Sequence, residues 1–195
     1  MPVIAHRLVL AAGLVAAAAS ASLAAPEKYV LDPSHSQVVF SYNHLGFSTT
    51  WSMFAGINGE IMFDKDAPQD SSVSVSFPLK TMYTGWQKRF EHFMSPDFFN
   101  ASDDSMVSFT STGIEVTGDT TGKITGDLTI NGVTVPVVLD AKLNQQANHP
   151  MLDKPWVGFS ATTMVKRSDF NVDAFAPYVS DEVQIMISVE AGKAE

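Results

Sequence analysis

The chain has 195 residues, 45% of them hydrophobic and 17% charged, and no cysteine. That is enough apolar material for one packed domain and too much for wholesale disorder. Twelve basic against 21 acidic side chains give a formal charge of −9, a poor match for nucleic acid or for docking on anionic lipid through a basic patch. The missing cysteines remove disulfide frameworks, thiolate zinc sites, iron–sulfur clusters and cysteine nucleophiles.

Residues 1–24 read as an address. His6 and Arg7 precede an apolar run from Leu8 to Ala19, and Ser22 and Ala24 stand at −3 and −1 of a small-residue cleavage site. This is the pattern of a secretory signal peptide, and the run is short of the roughly 20 residues of a membrane span. The expected product is exported and soluble, in the periplasm of a host with two membranes. One domain is expected over 26–192.

Beyond the leader, apolar residues alternate with polar ones at period two. Val38, Phe40 and Tyr42 share a face, as do Ile57, Gly59, Ile61 and Phe63. Val73, Val75, Phe77 and Leu79 alternate with serines. Val107 and Phe109 follow, then Ile114 and Val116, then Ile124, Leu128 and Ile130. Val133 to Ala141, Val157 to Val165 and Val183 to Val189 complete the series. Asn131-Gly132 between two such runs supplies the two positive-φ positions of a type I′ hairpin. Short strands with tight turns mean an antiparallel barrel or sandwich. One stretch departs from the pattern: Tyr83, Trp86, Phe90 and Phe93 fall at helical spacing, and Ser95-Pro96 ends the run. A second irregular stretch, 168–181, holds Phe170, Phe175, Pro177 and Tyr178.

An eight-stranded barrel either fills itself with its own side chains or holds one small ligand. Thirteen Phe, four Tyr, three Trp and nine Met suit a filled core or a lined pocket equally.

The ordered blocks Asp32-Pro33-Ser34-His35-Ser36, His44-Leu45-Gly46-Phe47-Ser48, Lys88-Arg89-Phe90-Glu91-His92 and Ser95-Pro96-Asp97-Phe98-Phe99 carry a resemblance. Gly126 to Val133, Gly158-Phe159-Ser160-Ala161 and Arg167-Ser168-Asp169-Phe170 continue it. Together the chain resembles the YceI-like family from about Tyr29 to Glu190. The resemblance implies an all-β, eight-stranded antiparallel, lipocalin-like barrel, here with a short helical segment around residues 83–94. It implies an elongated apolar cavity for a long isoprenoid lipid, a polyprenyl chain or a quinone tail, and no established catalytic residue. It also implies a membrane b-type cytochrome as a partner. The chain departs from the family pattern at Asn43, where a basic residue is usual, at Phe90, where an acidic one is usual, and at Asn171, where glycine is usual.

On this reading the lipid is held by Phe40, Tyr42, Phe54, Val75, Phe77, Phe109 and Phe159 at inward phases. Trp86, Phe90, Phe93, Phe98 and Phe99 add the aromatic face of the irregular segment. His44 and Arg89 are candidates for a quinone carbonyl or alcohol head group. Arg89 with Glu91 or Asp97, and Arg167 with Asp169, are alternatively ion pairs that fix loops. Trp51 is placed at a rim. No resident cofactor and no nucleic-acid partner are expected; membrane contact is transient, and the protein is a monomer or homodimer.

Two other readings stand beside this one. The barrel is filled and acts as a stress-related partner of a membrane redox complex through an exposed aromatic patch. Alternatively His35, His44, His92 and His149 serve a metal-dependent hydrolase, although they lack the spacing of a His-Glu-x-x-His site.

Overall fold

The computed structural model describes residues 25–195; the leader expected over 1–24 lies outside the described residues. Eleven strands form one sheet. They are β1 Glu27–Leu31, β2 Gln37–His44, β3 Ser48–Ala55, β4 Asn58–Phe63, β5 Ser72–Pro78, β6 Met82–Tyr83, β7 Met106–Val116, β8 Thr121–Ile130, β9 Val133–Asn148, β10 Pro155–Lys166 and β11 Glu182–Lys193. The helix α1 spans Gln87–Met94.

The sheet closes. β11 pairs with β1 through Ala191–Lys193 and with β2 through Gln184–Ser188. β1 and β2 are thus two pieces of one wall strand. The same holds for β3 and β4, which pair with β2 and β1 respectively, and for β5 and β6, which pair with β4 and β3. Eight strand positions go round the wall in antiparallel succession. The expected eight-stranded barrel is the observed one, with three of its strands broken.

Pairing explains the facing. Val75 stands opposite Phe109, Phe109 opposite Leu128, Leu128 opposite Val135 and Phe159 opposite Leu143, so period-two runs from successive strands meet on the inner face. Asn131 and Gly132 both take positive φ, 53° and 73°, as the Asn-Gly signal requires.

The helical stretch begins later than expected. Tyr83 lies in β6, opposite Met53, and is well exposed. Gly85, at φ 75°, turns the chain out of the sheet before the helix starts. Backbone pairing with β3 outweighs helical periodicity for Met82 and Tyr83. Ser95-Pro96 closes the helix as read: Ser95 N–H donates to the His92 carbonyl at 3.2 Å.

Two ends can be told apart. One carries the β2–β3 turn, α1 and the connection from β10 to β11; the other carries the β7–β8 and β9–β10 turns and the β4–β5 loop.

Candidate functional site

Inside the barrel runs a cavity of about 1150 Å³. Its own side chains therefore do not fill it. Apolar groups from all eight wall positions line it, and it reaches the surface beside Leu45 and Tyr178 at the helix end and beside Gly118 and Asp119 at the other. Three adjacent strands set an aromatic band in the wall: Phe40 and Phe54 are 5.7 Å apart between ring centroids, and Phe54 and Phe77 are 5.0 Å apart. Across the barrel Phe159 meets Phe63 edge-on at 5.6 Å. Tilted and edge-on contacts of this kind favour the ring quadrupoles over a flat stack.

The helix end is covered by a second aromatic group. Tyr42 meets Phe93, Phe93 meets Phe98, and His92 and Phe98 both meet Phe175, at centroid distances of 5.3–6.1 Å. Burial raises the pKa of Tyr42, with Arg89 and Arg167 nearby opposing that shift.

Of the residues expected to hold a ligand, Phe40, Tyr42, His44, Phe54, Val75, Phe77, Trp86, Arg89, Phe93, Phe98, Phe99, Phe109 and Phe159 all line the cavity. Phe90 does not. The helix turns Arg89, His92 and Phe93 toward the cavity. Phe90, about 100° round from Arg89 on a 3.6-residue helix, packs against the surrounding core instead. Trp51 points outward from β3, half exposed, because inward phases there belong to Ser48, Thr50 and Phe54. Residues not singled out from sequence also line the space, among them Leu139, Ile185 and Ile187 from the long strands and Phe175 and Tyr178 from the 168–181 connection. The alternation of β9 and β11 contained the signal for the first three.

The expected ion pairs are absent among the described residues. Arg167 instead donates to four main-chain carbonyls: Val172 at 2.7 Å, Ala174 at 3.1 Å, Val179 at 2.8 Å and Ser180 at 2.9 Å. The guanidinium fork suits several acceptors at once, and it folds the 168–181 connection over the cavity. Burial lowers its pKa. Arg89 donates to the Thr84 carbonyl at 2.7 Å, and Asp97 is taken by His92 at 3.1 Å. The family-pattern departures find local reasons. Asn171 sits at φ 56°, the left-handed region glycine and asparagine share. Asn43 accepts from the Gly46 N–H at 2.8 Å, tying its side chain to the β2–β3 turn.

The lining reverses the charge of the chain. Lys65, Lys88, Arg89, Lys142 and Arg167 face it against a single acid, Asp119, in a sequence with 12 basic and 21 acidic residues. None of those five makes an ion pair among the described residues, whereas Lys28, Lys80, Lys123 and Lys193 all do. Among the described residues no three His, Asp or Glu side chains gather as a metal site, and no helix is long and apolar enough to cross a membrane.

A closed antiparallel barrel around one elongated apolar cavity defines a lipocalin-like binding fold. Within it the chain matches the YceI-like domain over residues 29–191; it belongs to the YceI-like family. It is 38% identical over 172 residues to Protein YceI of Escherichia coli, covering 88% of this chain and 89% of that one. A crystal structure of a YceI protein from Campylobacter jejuni superposes with a TM-score of 0.71 at 32% identity, over 78% of this chain and 90% of the other. A polyisoprenoid-binding domain from Saccharophagus degradans, implicated in plant cell wall breakdown, shares the fold at a TM-score of 0.60 and 14% identity, over 85% and 98% of the two chains.

Proposed function

We propose that this protein is an exported carrier or store for a long isoprenoid lipid, a polyprenyl chain or the tail of a quinone, and a binding protein rather than an enzyme. The single observation that carries the reading is the apolar cavity of about 1150 Å³ along the barrel. At about 30 Å³ per carbon-sized group it accommodates roughly forty such groups, on the order of eight isoprene units. A hydrocarbon of that length is insoluble in water and needs a cover to cross an aqueous space. Family membership and the polyisoprenoid-binding neighbour support the same ligand class. The leader read from sequence supports export to the periplasm. A quinone ligand would make a membrane b-type cytochrome a natural neighbour.

The energetics predict tolerant binding. Each isoprene unit contributes roughly 3–4 kcal/mol at most from burial, so a full-length chain would exceed the practical ceiling of about 18–21 kcal/mol. Ordering of the chain offsets the surplus. Single lining substitutions such as Phe40→Ala then weaken binding modestly, and added bulk in the cavity weakens it more. The test is purification without detergent from the native host, then lipid extraction and mass spectrometry. A stoichiometric isoprenoid species is the expected result. An empty extract, with no uptake of added polyprenol or quinone, overturns the reading.

A further inference from the structure

The exposed aromatic side chains are unevenly placed. Phe47, Tyr83, Trp86, Phe175 and Tyr178 are all more than half exposed, Phe47 at 89%, and the aliphatic Leu45 beside them is about half exposed. Tyr83, in β6 opposite Met53, stands on the outer wall just below the others, beside outward Trp51. Leu45 and Phe47 lie in the β2–β3 turn, Trp86 at the start of α1, and Phe175 and Tyr178 in the 168–181 connection, all at the helix end. These segments are tied into one rim: Leu45 N–H donates to the Tyr178 carbonyl at 2.9 Å, Ser180 N–H to the Asn43 carbonyl at 2.9 Å, and Phe98 on the helical segment meets Phe175 at 5.9 Å. Leu45, Trp86, Phe175 and Tyr178 also line the cavity, so the rim surrounds its opening. Lys88 and Arg89, free of ion pairs among the described residues, face the same opening. Of the acids on the same segments, Glu91 accepts from Gln87, Asp97 pairs with His92 and Asp181 accepts from Ser168, while Asp173 and Asp181 lie near Arg167. The opposite opening mixes Lys65, Asp119, Lys142 and Gln146 with Val116, and its exposed apolar side chains, Val116, Met151 and Leu152, include no aromatic ring.

We propose that this rim is a docking surface for a lipid bilayer, where the cavity opens directly into the hydrocarbon. The inference rests on the isoprenoid-carrier reading for its purpose and on the rim alone for its geometry. Trp and Tyr side chains pair an apolar body with a polar tip and settle at the boundary between head groups and acyl chains. Lysine and arginine beside them meet lipid phosphates. An isoprenoid leaving the cavity through this rim passes from one apolar phase to another without crossing water. A protein cap would bury the rings equally well but would block that route. The whole-chain charge of −9 makes the rings, rather than a basic patch, the principal contact, so binding survives on uncharged vesicles and at moderate salt.

The experiment is flotation with vesicles of phosphatidylcholine and phosphatidylethanolamine, comparing wild type with Phe47→Ser/Tyr83→Ser. Both residues are exposed and neither lines the cavity. In parallel, farnesol binding is measured in solution without vesicles. Wild type should float. The double variant should lose at least about tenfold in partitioning, from partial burial of two rings, and bind farnesol as before. Failure of wild type to float, or equal flotation of the variant, overturns the docking surface. Flotation that depends on the rim without farnesol binding upholds the surface and counts against the carrier reading alone. Concentration-dependent dimerisation abolished by the variant, with no flotation, assigns the rim to a second copy of this chain and overturns the bilayer.

Discussion

The two halves of the barrel wall are built differently. β7 to β11 are continuous, with 10–16 residues each. β1 to β6 are three strands each snapped in two, in pieces of 2–8 residues. The breaks fall side by side, because the strands that carry them are neighbours. Each break sinks a side chain completely: Ser36 in the first, Ile57 in the second and Leu79 in the third are at or below 2% exposure. The long strands instead offer Ile124, Val137, Ile185 and Ile187, only half buried and facing the cavity. Both halves line the cavity, the broken one through Phe40, Phe54 and Phe77, but the broken half adds a tightly buried anchor at each interruption, while the continuous half presents a longer half-buried wall. Bends and bulges let a sheet curve in this way.

The strongest challenge to that division is a charge in the broken half. Phe77, 4% exposed and against Phe54, changed to Asp should lose about 3–5 kcal/mol as an uncompensated buried charge. Chemical denaturation reads this directly, and a wild-type midpoint would mean that β5 faces the other way. Truncation compares the halves. Leu79→Ala should cost about 2–5 kcal/mol, whereas Ile187→Ala, whose side chain already borders open space, should fall near the bottom of that range. Equal losses would erase the distinction.

A third test adds bulk to the continuous half. A Cβ at Gly126 would strike the Phe109 ring and come within 2.6 Å of the Thr110 carbonyl. Gly126→Ala should therefore cost about 1–3 kcal/mol and push Phe109 into the cavity, reducing isoprenoid capacity measured by extraction. The smallest effect lies at the first break. Hydrogen bonds from His35 and Ser34 hold the Asp32 carboxyl down at about 2, and the same contact with Asp32 raises the His35 pKa. The lowered carboxylate contributes stability above its unfolded pKa and loses it as pH falls toward 2. The raised imidazole contributes below its unfolded pKa and loses it as pH climbs through the folded one. The pair therefore helps most between about pH 4 and 6.5. Both groups face solvent, so the expected change is a small hump in Tm against pH, flattened by Asp32→Asn.

Much of the wall was legible because period-two alternation and the Asn131-Gly132 turn are local signals. The breaks were not. Ile57 to Phe63 read as one run with Gly59 inside it, and Gly56, at φ 69°, gives no warning that it lies beside two other interruptions. That meaning exists only once the strands are side by side. For the site, thirteen expected lining residues reach the cavity because inward phase and aromatic character coincide there. Phe90 fails because a helix turns only part of its apolar face to the opening. The basic lining went unread since net charge is summed over the whole surface. Arg167 misled for a related reason: neighbouring carboxylates show in a sequence, while the main-chain carbonyls it binds become acceptors only after the connection folds around it.

The pairing of Tyr29 with Lys193 has a consequence for the time course of folding. The first strand finds its last neighbour across nearly the whole chain, and β11 must meet β10, β2 and β1 together. Contacts of such long range are slow to form. Until β11 is in place, β10 on one side and β1 with β2 on the other keep unpaired edges, the kind of edge most exposed to aggregation. A helper that shields those edges, or a route that keeps the chain extended until synthesis ends, would matter most for this architecture.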